Sequence, residues 1–474
     1  MGRGTKGTSN LTDTLHRLSG RGKPTLYVLG TLLCMLILAP TLVEAGPRIQ
    51  QWTLDNGARV FFVETHDLPM VEMSVVFDAG SAREPATQAG VARLTSHILN
   101  EGADGLGADA IALGFERLGA EYGAVSDRDM ARAGIRVLSD PALRDPAAAM
   151  FARVLTKPSF PQPSLDRMLD ETRVALAQKR QSPGEIAEDR FYAALYGKHP
   201  YAHAPEGTDA SLKRIARDDL VAFHARYYTG ANAVIAMVGD LTPAQAQALA
   251  QTVAGGLPRG AAAAPLPPVM QVPKAARGKV ERVRFPSAQT HILVGQPGMA
   301  RVDPDYFALY VGNYVLGGSG LVSRLSDEVR EKRGLSYSAY SYLYPLREPG
   351  PLILGLQTKN TQADAALKVL RDTLTQFTQS GPTDAELVAA KKNLSGGFPL
   401  RIDSNRKIAE YLAVIGFYGL PADFLETYVA NVEAVTADAI RDAFRRRVQP
   451  ADMVTVIVGG DAKTKPKAKP KAKS

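Results

Sequence analysis

The sequence predicts an α+β fold built from two homologous halves, each an antiparallel sheet with helices packed on one face. Three observations carry this reading. Strand and helix patterns come in runs rather than in strict alternation, which favours antiparallel sheets over a doubly wound parallel one. An alanine- and proline-rich stretch with no hydrophobic period, residues 260–273, divides the body near its middle. The two sides also repeat each other. Ile215-Ala216-Arg217-Asp218-Asp219-Leu220 opens a helix that leads into a strand ending at Gly239. Val435-Thr436-Ala437-Asp438-Ala439-Ile440 opens another, leading into a strand that ends at Gly459. Helix start and strand-closing glycine are 24 residues apart in both.

In chain order, Val60 to Val63 and Val71 to Phe77 read as strands joined by a turn at His66-Asp67-Leu68-Pro69. Helical periodicity follows over Gln88 to Asn100, Ala108 to Leu118, Pro141 to Thr156, Ser164 to Gln181 and Pro183 to Tyr196. A strand, Asn232 to Val238, then precedes a helix from Pro243 to Ala254. Ser74 to Gly80 and His291 to Gly298 form a second matched pair, each a strand leading into a helix.

The ends differ from the body. Arg3, Lys6, Arg17, Arg21 and Lys23 precede an apolar run, Leu26 to Val43, and Val43-Glu44-Ala45 offers small residues at a cleavage spacing. This reads as an export signal, which implies a periplasmic or otherwise exported protein. The run is just long enough to span a bilayer, so an uncleaved N-terminal anchor is the alternative and the one membrane contact expected. The last twelve residues carry six lysines among alanine and proline, a solvated low-complexity tail. These two segments account for the net charge of +8. The body is near neutral and shows no basic footprint for nucleic acid. The single cysteine, Cys34, lies in the apolar run, so the body has neither a disulfide nor a thiolate metal site. The expected organisation is residues 1–45 as signal or anchor, 46–258 as the first half, 259–275 as linker, 276–461 as the second half and 462–474 as tail.

The first half contains Gly80-Ser81-Ala82-Arg83-Glu84 and then Gly90-Val91-Ala92-Arg93-Leu94-Thr95-Ser96-His97-Ile98-Leu99-Asn100-Glu101-Gly102. This resembles the pitrilysin family of zinc peptidases, which includes insulin-degrading enzyme and the mitochondrial processing peptidases. Its members carry a strand, a Gly-Ser turn and a helix with H-x-x-E-H. Two histidines four apart share one helical face and can hold a tetrahedral zinc. The glutamate between them takes a proton from zinc-bound water, and a glutamate from a later helix completes the ligands.

Here the first histidine position is Arg93, the glutamate position is Ser96, and His97 alone remains. A guanidinium cannot ligate a metal and a serine is no general base at neutral pH. The later glutamate would fall near Glu171. No zinc or other cofactor is expected on this chain. His97 then reads as a hydrogen-bonded histidine on a buried helix face. His199, His203 and His224 have no ligand spacing with it.

The second half keeps more of the family pattern, in Leu316-Gly317-Gly318-Ser319-Gly320 and the helix that follows. The resemblance places its conserved arginine at Arg330 and its tyrosine, seven residues on at a strand start, at Tyr337. In the family this pair reaches across a clamshell to the zinc site of the other half. Arginine and tyrosine donors suit a peptide carbonyl gaining negative charge. The alternative is a surface helix with ordinary charges.

Some bacterial members work as two chains, one with intact zinc ligands and one without, and this chain resembles the second. The implied function is a non-catalytic subunit of an exported heterodimeric zinc endopeptidase, inactive alone. Its partner would be a homologous zinc-binding subunit, and peptide would add as a strand at a sheet edge. An inactive scaffold in a larger assembly is the second reading, and a self-sufficient peptidase with substituted ligands the third.

Overall fold

A computed structural model describes residues 47–269 and 271–460. The expected signal or anchor and the lysine-rich tail lie outside the described residues. Among these, no helix is long and apolar enough to cross a membrane.

The first half contributes β1 (Gln50–Thr53), β2 (Arg59–Glu64), β3 (Met70–Phe77), a two-residue pair β4 (Gly102–Ala103) and β5 (Leu106–Gly107), β6 (Glu121–Ser126), β7 (Ala131–Leu138) and β8 (Ala233–Gly239). The second contributes β9 (Val280–Arg284), β10 (Gln289–Pro297), β11 (Ser336–Leu343), β12 (Pro351–Lys359) and β13 (Val454–Gly459). The six-stranded sheet runs β1-β2-β8-β3-β7-β6 and the five-stranded sheet β11-β12-β10-β13-β9. Read from the β6 and β11 edges, the two orders coincide strand for strand, with β1 the one addition. Both sheets are antiparallel except for one pair each, β2 with β8 and β13 with β9, which run parallel. Gly239 and Gly459, which close the matched strands, share a φ of +152°. The repeat is therefore structural.

Helix starts follow local chemistry. The Pro141–Thr156 helix opens on Asp140, whose side chain accepts from Ala142 N–H, and the Pro243–Ala254 helix on a Thr242–Gln245 capping box. Proline at the first position costs no hydrogen bond, because that N–H has no intrahelical partner.

Beyond the expected helices on one face, each sheet borrows a helix from the other half for its second face. Along β8, Ala233, Ile235 and Met237 pack into the first half's own helical core. Val234, Ala236 and Val238, on the opposite face, pack with Leu412 and Ala413 of the Asn405–Tyr418 helix. In exchange, Phe191 and Leu195 of the Pro183–Tyr196 helix pack on Val454, Val456 and Val458 of β13. Close approach is built in on both sides. A Cβ at Gly416 would meet Val234 Cγ1 at 2.5 Å and Phe61 Cε2 at 2.7 Å, and one at Gly295 would meet Phe191 Cζ at 2.7 Å.

A buried carboxylate joins the halves beside this exchange. Asp129 is 2% exposed. It accepts from Tyr201 OH at 2.5 Å, from Arg347 N–H at 2.7 Å and from Tyr418 OH at 2.9 Å. The alanine- and proline-rich stretch is strapped down rather than dangling. Leu266 and Val272 are buried, Arg83 donates to the Ala264 carbonyl, and His199 Nε2 lies 2.9 Å from the Pro267 carbonyl.

Gly416→Val is expected to lower unfolding stability by about 2 kcal/mol through overpacking of the exchanged helix. Gly396→Ala, where a Cβ meets nothing within 4 Å, should be neutral or slightly stabilising. Urea denaturation of both variants checks this.

Candidate functional site

The motif helix, Val91–Ile98, is held as firmly as one that binds metal would need to be. Gly90 sits before it at φ +104°, a left-handed conformation. The buried Glu84 carboxylate accepts from Gly90 N–H and Ala92 N–H, both at 2.9 Å, and lies 3.0 Å from His203 Nε2. A carboxylate at this end satisfies orphan N–H groups and complements the helix dipole. Burial pushes the Glu84 carboxyl above its ordinary range, against the lowering effect of these bonds.

The metal donors are what is missing. Arg93 points to Glu206, with Nη1 3.6 Å from Oε1. Glu206 in turn lies 3.6 Å from Lys179 Nζ, which pairs with Asp189 at 2.9 Å. Ser96 is buried, and its Oγ has no hydrogen-bond partner among the described residues. His97 is half-buried and its ring makes no hydrogen bond among the described residues, so the expected hydrogen-bonded histidine is not what the helix presents. Burial, and then the Arg93 charge, lower its pKa from the ordinary 6.5.

Glu171 is exposed and bonds Arg167 at 3.0 Å, one turn away on its own helix. A guanidinium, a hydroxyl and one imidazole do not make a zinc donor set. No cluster of three His, Cys, Asp or Glu side chains able to hold a metal occurs among the described residues. His199, His203 and His224 have structural partners. His199 Nδ1 accepts from Tyr201 N–H, His203 meets Glu84, and His224 Nε2 lies 2.9 Å from the Leu155 carbonyl.

The second half brings its two residues together. Arg330 lies in a π-helical turn, Asp327–Glu331, a distortion often found at functional sites. Tyr337 is the extra residue of a β-bulge on β11, because Ser336 pairs with Thr358 and Ser338 with Gln357. Ser336 Oγ fixes the bulge, donating to the Gln357 carbonyl at 2.6 Å and accepting from Ser338 N–H at 3.2 Å. The result places the Arg330 guanidinium carbon 4.8 Å from the centre of the Tyr337 ring.

Neighbouring arginines give the contrast. Arg324 is paired with Glu386 and also donates to the Gly381 carbonyl; Arg333 binds the Glu328 side chain and carbonyl. Among the described residues Arg330 pairs only with Glu331, at 3.3 Å, and its buried Nη1 has no partner. Tyr337 is 81% exposed. The pair thus lies at the edge strand of the second sheet, with Tyr337 on the strand and Arg330 in the turn before it.

Sequence reasoning missed the bulge, the π-turn and the Arg93–Glu206–Lys179 chain of charges. A Cβ at Gly317 would clash with the Ser341 backbone nitrogen, so this glycine lets the helix end lie against β11. No spacing rule links Glu206 to Arg93, and only the fold joins them.

By NMR, His97 should titrate below 6.5, and Arg93→Gln should move its midpoint upward by removing the neighbouring charge. An unchanged midpoint would contradict the geometry.

The family model described as Insulinase (Peptidase family M16) matches residues 59–209, and the one described as Peptidase M16 inactive domain matches residues 214–394. A crystal structure of a peptidase M16 inactive domain from Pseudomonas fluorescens is 39% identical, with a TM-score of 0.84, over 87% of this chain and 98% of that one. An uncharacterized zinc protease of Mycobacterium leprae is 31% identical over 74% of this chain and 79% of its own length. The non-peptidase homolog YmxG of Helicobacter pylori is 27% identical over 86% and 93% respectively. The chain belongs to peptidase family M16, and of the family's H-x-x-E-H motif its helix keeps His97 alone, with Arg93 and Ser96 at the other two positions.

Proposed function

We propose that this chain is the zinc-less subunit of an exported, two-chain M16 endopeptidase, and that Arg330 and Tyr337 act on peptide bound at a partner's zinc. The observation that carries the reading is the Arg330–Tyr337 pair: a guanidinium set against an exposed phenol on an edge strand. Such donors stabilise a carbonyl oxygen only when aimed at it and not consumed by local ion pairs. The β11 edge offers backbone groups to an extended peptide, a mode that reads backbone more than side chains. The partner would be a homologous chain with an intact H-x-x-E-H motif, and zinc there would supply the water activation that Arg93, Ser96 and His97 cannot. The basic, apolar N-terminal segment supports export.

A second reading, a scaffold with no part in catalysis, is favoured by the name of the Helicobacter pylori relative, a non-peptidase homolog. The two readings separate in a reconstitution. The purified chain alone should cleave no peptide. Addition of an M16 partner with intact ligands should give cleavage, and Arg330→Ala should reduce kcat by about 100-fold, the scale of losing one transition-state donor. Tyr337→Phe should lower it less. Unchanged cleavage by Arg330→Ala would favour the scaffold.

A further inference from the structure

A cavity of about 390 Å³ opens between the Tyr306–Asn313, Asn405–Tyr418 and Phe424–Ala434 helices of the second half. Tyr306, Tyr310, Tyr411 and Phe424 supply its flat walls. Tyr306 and Tyr310 are stacked, with ring centres 5.8 Å apart. Neither Arg330 nor the motif helix reaches it.

Two guanidinium groups line this cavity without a counter-ion. Arg401 donates to Tyr310 OH at 2.7 Å, and Arg301 to Tyr306 OH at 3.2 Å. Neither forms an ion pair among the described residues, and Arg301 Nε is buried with no partner at all. Lys407, the third cation, is already held by Asp403 at 2.9 Å and by the Leu400 carbonyl. The Tyr310 hydroxyl accepts from both Arg401 and Tyr428, which leaves its own proton for a third partner. In the same half, Arg447 meets Asp303 and Asp305. Here phenols stand in their place.

Charge and shape together define the ligand. Guanidinium forks without a carboxylate partner select planar oxyanions, and aromatic walls select an apolar body. The one carboxylate at the rim, Glu410, is exposed and disfavours dianions. We propose that this cavity is a binding site for a small monocarboxylate carried on a flat apolar body, such as an aryl carboxylate, separate from the peptide-facing edge.

Fluorescence titration of the full chain with 2-naphthoate tests this, with 2-naphthylmethanol as the neutral analogue of the same shape. The expected result is one saturable naphthoate site, with the alcohol weaker by at least about tenfold, the scale of one charge-assisted hydrogen bond. Arg401→Gln and, separately, Arg301→Gln should each weaken naphthoate by a similar factor. Equal binding of acid and alcohol to the unmodified chain would overturn the proposal without reference to any variant. So would the absence of saturable naphthoate binding, or wild-type affinity in both variants.

Discussion

The exchange of two helices between the halves is the constraint on which the rest of the structure depends. The Pro183–Tyr196 and Asn405–Tyr418 helices each leave their own half to cover the other's sheet. Neither sheet can therefore bury its second face alone, and the halves are one packing unit. Asp129 pins the same junction. A carboxylate so deeply buried is costly unless several donors satisfy it, and its three donors come from both sides of the repeat, Tyr201 from the first half and Arg347 and Tyr418 from the second. Such a bond set is satisfied in one arrangement of the halves only. That arrangement fixes where the motif helix stands relative to the Arg330 turn.

Within this frame the two sites differ. At the first, the Glu84 cap and the left-handed Gly90 hold the motif helix, and Arg93 has a protein carboxylate as its partner. Arg93 is neutralised by Glu206, which also meets Lys179. Protein cations and carboxylates now balance one another there. At the second, the turn and the bulge hold Arg330 and Tyr337 against each other. A π-turn and a β-bulge both cost regular hydrogen bonding, and here they flank the same pair.

What could be read in the sequence was whatever is local. The Pro141–Thr156, Pro183–Tyr196 and Pro243–Ala254 helices have the expected bounds, because proline marks their first position and apolar periodicity runs to their ends. The repeat was legible because Gly239 and Gly459 must adopt the same unusual φ. The β6–β7 hairpin was not legible: Gly123, Ala124, Ala131, Ala133 and Gly134 are too small to give a strong alternating signal. The helix exchange left no local trace, since a helix shows that it has an apolar face but not whose sheet receives it. At the site, residue identity was enough to show the loss of zinc donors at Arg93 and Ser96. The contact of Arg330 with Tyr337 rested on likeness to the family, and the Glu206 and Lys179 partners needed the fold.

The M16 scaffold is kept here, and we propose that it holds no zinc of its own. Zinc titration of the isolated full chain, followed by metal analysis after exhaustive dialysis, decides this. The expected result is no stoichiometric zinc and no zinc-dependent rise in thermal stability. One tightly held zinc per chain would contradict it.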